Sequence, residues 1–279
     1  MLKLLPLIEK ISLFAFLLSS MFGAGLTLTL SALVAPLRRV NLVLLALALN
    51  FVLAPALAWL LTVIIPLEQG HAIALLLLGG AAGAPFLPKL AESTRGDLAL
   101  AVALMALLTA GTILFMPFVL PLIIPGLAAD PWKIARPLLL FIVLPLVLGM
   151  FVRSKAAAFA ARITSGVSLI SNSSLILLFL LLIALNLRAL LGVIGSGAIL
   201  AAILYVVGLL AAGWILGGSN LETRKLMALG TAGRNFGAAF VPAATSFTDP
   251  KIEVALIVNA IVGLVVLFMA AGWLRRKAL

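Results

Sequence analysis

The stretch GTAGRNFGAAFVP, residues 230–242, sets a guanidinium, Arg234, beside an amide, Asn235, inside an otherwise apolar run. An arginine at the centre of a membrane span costs ~2.5–3.5 kcal/mol on insertion scales, so it faces protein or water and usually serves function. It could pair internally and hold a bundle together, or it could meet an anion. A second cation, Lys89, follows Pro88 in GAPFLPKLAEST, residues 83–94. It either faces the same polar space or snorkels toward water near Arg95. Three lone amides complete the binding candidates: Asn50 in LALNFVLAP, its counterpart Asn259 in LIVNAIVG, and Asn172 in ITSGVSLISNSSLILL. For Asn50 and Asn259 the other reading is interhelical hydrogen bonding. Ser165, Ser168 and Asn172 fall at i, i+3 and i+7, on one helix face. That face lines a wet cavity or packs helices through small residues. Thr109 and Thr112 are expected to bond back to their own helix.

The chemistry these residues offer is anion recognition, not catalysis. The acids are Glu9, Glu68, Glu92, Asp97, Asp130, Glu222, Asp249 and Glu253, all at or near predicted helix ends. Asp97 fits the N-cap of the helix that follows it. No buried acid–base pair or carboxylate proton relay is visible. The chain has no cysteine and one histidine, His71, which excludes thiolate chemistry and a His-rich metal site. No Walker A, HExxH or Asp-rich diphosphate motif occurs. No cofactor is expected, and coupling to sodium or protons stays open.

The elements that hold these residues follow from composition. Of 279 residues 65% are hydrophobic and 10% charged, where soluble chains carry roughly 25% charged residues. The chain reads as an all-α polytopic membrane protein whose partner is the bilayer. A span needs ~20 apolar residues to cross ~30 Å, and cutting at charges, Pro and Gly gives nine: 8–31, 40–65, 71–94, 96–124, 132–153, 163–187, 190–217, 220–247 and 251–274. The N-terminal apolar run has no small-residue cleavage site and reads as a retained span. With the N-terminus outside, the inner loops hold Arg38, Arg39, Arg95, Arg153, Lys155, Arg162, Arg224, Lys225, Arg275, Arg276 and Lys277. The outer ones hold Lys3, Lys10, Lys133, Arg136, Arg188 and Lys251, and only Lys89 and Arg234 lie within spans. This bias predicts N-out and C-in, in a bacterial inner membrane, and accounts for the net charge of +11 without nucleic acid.

The third and eighth spans are poor continuous helices. One holds Gly83, Pro85 and Pro88, the other Gly230, Gly233, Gly237 and Pro242. At an offset of 154, Gly83, Ala84, Phe86, Pro88 and Thr94 match Gly237, Ala238, Phe240, Pro242 and Thr248. Five spans apart, the two copies cross in opposite directions, as in inverted-repeat transporters with broken helices at mid-bilayer. The expected division is a scaffold or panel of residues 1–39 and 125–189, a core repeat of 40–124 and a second of 190–279. Each break frees backbone groups: half-helix N-termini attract anions and C-termini attract cations.

Four segments, SSMFGAGLTLTL, NFVLAPALAWLL, GGAAGAPFLPKLAESTRGDLALAVAL and GTAGRNFGAAF, make the chain resemble the bile acid–sodium symporter family over nearly its whole length. The Arg-Asn form of the last segment is similar to a bacterial branch. The resemblance implies a panel domain and a core with two crossed broken helices, moving to expose a site alternately on each side. Some relatives have ten helices, and this chain is expected to lack the first.

The departures concern sodium. The resemblance implies a Glu-x-Gly-x-Gln-Asn run in the second broken helix, but Gly230 stands for the Glu and Arg234 for the Gln, and only Asn235 is kept. Adjacent Ser and Asn ligands become Leu87 and Pro88, hydroxyl ligands become Ala101 and Met105, and a Gln becomes Asn50. Any sodium would sit near Asn50 and Asn235. A guanidinium there repels it by ~4 kcal/mol at ~4 Å and ε ≈ 20. The expectation is a secondary transporter of a small organic anion, with Arg234, alone or with Lys89, in the place of the cations. The rivals are sodium symport through carbonyl-dominated sites, a non-transporting sensor or partner subunit, and a membrane enzyme. Small carboxylates and sulfonates are as good candidates as bile acids. Oligomeric state is not legible.

Overall fold

The computed structural model describes residues 5–29, 31, 38–124, 131–185 and 187–276; Lys3, Asp130 and Lys277 lie outside them. Among the described residues there is no strand. The helices are α1 (Leu5–Thr27), α2 (Val40–Ile64), α3 (Gln69–Gly80), α4 (Leu87–Ser93), α5 (Leu98–Ile123), α6 (131–155), α7 (Ala157–Leu185), α8 (Leu187–Gly192), α9 (Ala198–Leu216), α10 (Leu221–Ala232), α11 (Phe236–Ser246) and α12 (Pro250–Arg276).

Seven of these, α1, α2, α5, α6, α7, α9 and α12, are long and apolar enough to cross a membrane. The other two expected spans are the interrupted pairs α3–α4 and α10–α11. Large apolar side chains such as Leu114, Leu122, Ile215 and Met269 lie exposed on the outer helix faces. That surface belongs against lipid tails, and the chain is an integral membrane protein.

The first span ends at Thr27, not 31, and two later spans start elsewhere than expected. The sixth span starts at Ala157, not 163, directly after α6. The seventh starts at Ala198, not 190, because Gly195 and Gly197 take φ of 87° and 78° and end the preceding segment. Asp97 caps α5 as expected, accepting the Leu100 N–H at 2.9 Å.

Two π-turns were not anticipated. Leu49–Leu53 in α2 and Leu139–Val143 in α6 each end two residues before a proline, Pro55 and Pro145. Proline lacks an N–H, and its ring clashes with the carbonyl four residues back, so the widened turn relieves the crowding.

Helix α1 packs along α6 and α7. At the tightest point Gly25 and Gly149 meet; a Cβ on Gly25 would lie 2.2 Å from the Leu146 carbonyl oxygen. The remaining helices gather round the interrupted pairs: α3 against α2 and α12, α10 against α9, and α9 against α12. The start of α6 also touches α5 and α11.

Candidate functional site

The first interruption spans residues 81–86 and the second 233–235. Gly83 takes φ of 81°, and a Cβ there would lie 2.5 Å from the Thr109 nitrogen, so no other residue fits. Pro85 stands in the break and Pro88 in the first turn of α4. Gly233 lies in the second break with ordinary dihedrals; its role is space, since a Cβ would sit 2.8 Å from the Leu229 oxygen and 3.3 Å from Ala84. Gly230, Gly237 and Pro242 are helical rather than in the break. Gly230 admits Leu87, and Gly237 admits Leu17. The offset of 154 therefore pairs Gly83 of the break with a residue inside α11. The helix ends, Gly80 and Ala232, stand 152 positions apart instead.

The two breaks meet. The Asn235 N–H donates to the Ala81 oxygen at 2.9 Å. Its Nδ2 donates to the Gly83 oxygen at 3.2 Å, and its Oδ1 caps α11 by accepting the Ala238 N–H at 3.0 Å. One residue thus joins both interruptions.

Arg234 is 3% exposed and donates to four oxygens. Nε bonds the Leu78 oxygen at 2.9 Å and Nη2 the Gly79 oxygen at 2.8 Å. Nη1 bonds Asn50 Oδ1 at 2.8 Å and the Thr231 oxygen at 3.3 Å. Leu78 and Gly79 end α3, and Thr231 ends α10, so the guanidinium sits on the negative ends of two half-helices. Asn50 lies in the π-turn of α2 and returns its Nδ2 to the Ala46 oxygen at 3.0 Å.

Of the two threonines expected to bond back to their own helix, Thr109 does so and also reaches the break, whereas Thr112 bonds the break instead. Thr112 Oγ1 accepts the Ala82 N–H at 2.8 Å and donates to the Ala82 oxygen at 3.0 Å. Thr109 Oγ1 reaches both the Met105 oxygen of its own helix, at 2.8 Å, and the Gly83 oxygen, at 3.1 Å. The first break is satisfied largely by a neighbouring helix, as buried backbone must be. A spacing of three residues on a long apolar helix was the signal available for this role.

The six candidate side chains do not converge on one point. Arg234, Asn50 and Asn235 form the buried junction. Asn259 is separate, its Nδ2 spent on the Ala255 oxygen at 2.8 Å, so the likeness to Asn50 stops at the back-bond. Lys89 and Asn172 line a cleft of about 220 Å³ between α1, α7 and the first break. Thr164, Ser168 and Ser171 line it too, whereas Ser165 does not; the polar face of α7 is rotated from the expected one. Lys89, Ser168, Ser171 and Asn172 have no side-chain partner among the described residues, so their donors are available to a ligand. A smaller apolar lobe of about 50 Å³ shares Phe16, Ser20 and Pro85 with the cleft and reaches Asn235, Phe236 and Phe240.

Several positions that the resemblance assigns to sodium ligands hold apolar side chains. Leu87 and Ala101 are 0% exposed and Met105 is 4% exposed. A Leu87 methyl lies 3.3 Å from where a Cβ at 230 would stand, so leucine occupies the volume beside the glycine. Among the described residues, no three His, Cys, Asp or Glu side chains are grouped to hold a metal.

The family model for the sodium bile acid symporter family matches residues 14–193, well over half the chain. The match contains the first break and stops before the second. A comparison with curated proteins gave no match.

Proposed function

The chain belongs to the sodium bile acid symporter family, whose members are transporters and not enzymes, and on that premise we propose that it carries a small organic anion without sodium. The observation that carries this reading is the division of the cations. Lys89 stands free on a cleft with unpaired hydroxyls and an amide, a set that receives a carboxylate or sulfonate. Arg234 is spent on the carbonyl ends of the broken helices. The apolar lobe behind the cleft would take the hydrocarbon part of the same molecule. Asn235 borders that lobe and joins it to the junction.

In this reading α1, α6 and α7 form the panel, and the helices around the two breaks form the core. The core moves against the panel, so the site opens alternately to each side. With the N-terminus outside, the cleft beside Thr27, Lys89 and Thr164 faces the cytoplasm of a bacterial inner membrane. The apolar contact of Leu17 with Gly237 then closes the other side.

The test is a thermal-shift screen of carboxylates and sulfonates on the purified protein, each in sodium and in choline. A ligand that binds the folded state raises its melting temperature by mass action. Stabilisation by one anion class, equal in both salts and needing about tenfold more anion in Lys89→Gln, is expected. A shift that appears only with sodium would return the chain to sodium symport.

A further inference from the structure

The oxygens around Arg234 have a composition that an arginine does not require. A buried arginine is often paired with a carboxylate. Here, among the described residues, its partners are three backbone carbonyls and the Asn50 amide oxygen, none of them charged. Neutral oxygens converging on a positive charge are the donor set of a hard cation. Two further buried hydroxyls lie on the neighbouring helices α9 and α10. Thr231 Oγ1, 1% exposed, belongs to a residue whose carbonyl already bonds the guanidinium. Tyr205, 3% exposed, lies on α9, the helix that packs along α10. Neither hydroxyl has a hydrogen-bond partner among the described residues.

We propose that the junction of the two broken helices is a monovalent-cation cage that the chain fills with its own side chain, and that truncating Arg234 hands it to a free cation. The carbonyls of Leu78, Gly79 and Thr231 and the Asn50 oxygen form its wall. The unpartnered hydroxyl of Thr231 stands on the residue that supplies one of those carbonyls. Held there, the charge keeps the half-helix ends together through every cycle and never leaves with the cargo. This consequence rests on the sodium-independent reading above. The test does not, because it reads stability rather than flux.

Melting of purified Arg234→Ala in detergent would be followed in choline chloride at fixed ionic strength. Ethylguanidinium, guanidinium, potassium or sodium would then be titrated in place of choline. The truncated protein should melt several degrees lower than the native one. Millimolar ethylguanidinium, which rebuilds the missing head, should restore most of that loss along a saturable curve; selective saturable rescue by any of the other three also supports the cage. The double variant Arg234→Ala with Asn50→Ala, lacking one wall oxygen, should need severalfold more cation. Arg234→Gln provides the same reading if the alanine variant does not fold. Two results overturn the proposal: a folded variant that no cation rescues beyond choline, or a native protein that sodium itself stabilises selectively.

Discussion

At the scale of single residues, one cationic side chain is bonded inside the protein and the other lines an open cleft. Arg234 donates to four internal oxygens and is buried. Its loss leaves those acceptors unpaired in a low-dielectric interior, at about 1–3 kcal/mol for each group that cannot relax. Arg234→Ala should therefore lower stability by roughly 3 kcal/mol or more as well as stopping transport, seen as a drop in melting temperature together with lost flux. Intact stability with lost flux would mean that the guanidinium meets substrate rather than the helix ends. Lys89 gives the opposite pattern. It is exposed and unpartnered, so Lys89→Gln should leave the melting temperature within about 0.5 kcal/mol of native stability. The same change should weaken anion binding by roughly tenfold, equivalent to about 1.4 kcal/mol. Asn235 belongs with Arg234, since its backbone and side chain bond Ala81 and Gly83 across the junction.

At the scale of elements, each break is stable because another element accounts for its backbone. Thr112 of α5 both accepts from and donates to Ala82. Thr112→Val keeps the shape and removes the hydroxyl, leaving the Ala82 N–H unpaired in the core. The expected loss is about 1–3 kcal/mol, measurable by chemical or thermal unfolding in detergent. Thr109→Val should cost less, because Gly83 still accepts from Asn235 Nδ2. If the two substitutions cost the same, the first break is not held from α5 in this way. The α2 π-turn belongs to the same account: it carries Asn50 at the guanidinium, and Pro55 behind it makes the widened turn favourable.

At the scale of the whole molecule, a tethered cation changes what crosses the membrane. A free sodium ion enters with its substrate and adds charge to the step. On the proposed reading Arg234 returns with the carrier, so a full cycle would move only the charge of the anion. An inside-negative potential of 100 mV opposes entry of a monovalent anion by about 2.3 kcal/mol. Proteoliposomes given an inside-negative potassium diffusion potential should take up the stabilising anion more slowly and release it faster. Imposing a sodium gradient should change neither rate. Symport with two sodium ions predicts the opposite sign, faster uptake under the same potential, so the direction of the voltage effect separates the two.

Much of the scaffold was legible in the chain because lipid leaves few choices. Apolar runs long enough to cross must be helical, so seven spans and two interrupted ones follow from hydropathy, glycine and proline. The family resemblance was equally readable, from motifs such as GAPFLPKLAEST. What the sequence could not determine was which polar groups face one another. Arg234 and Leu78 stand 156 positions apart, and Arg234 and Asn50 stand 184 apart. No local pattern encodes such pairings; they exist only once α2, α3 and α10 pack. The rotation of α7, which turns Thr164 rather than Ser165 to the cleft, is likewise set by its packing on α1. Tertiary structure alone assigned the buried charge to the helix ends and the exposed one to the cleft, because burial and hydrogen-bond geometry depend on neighbours brought from distant positions.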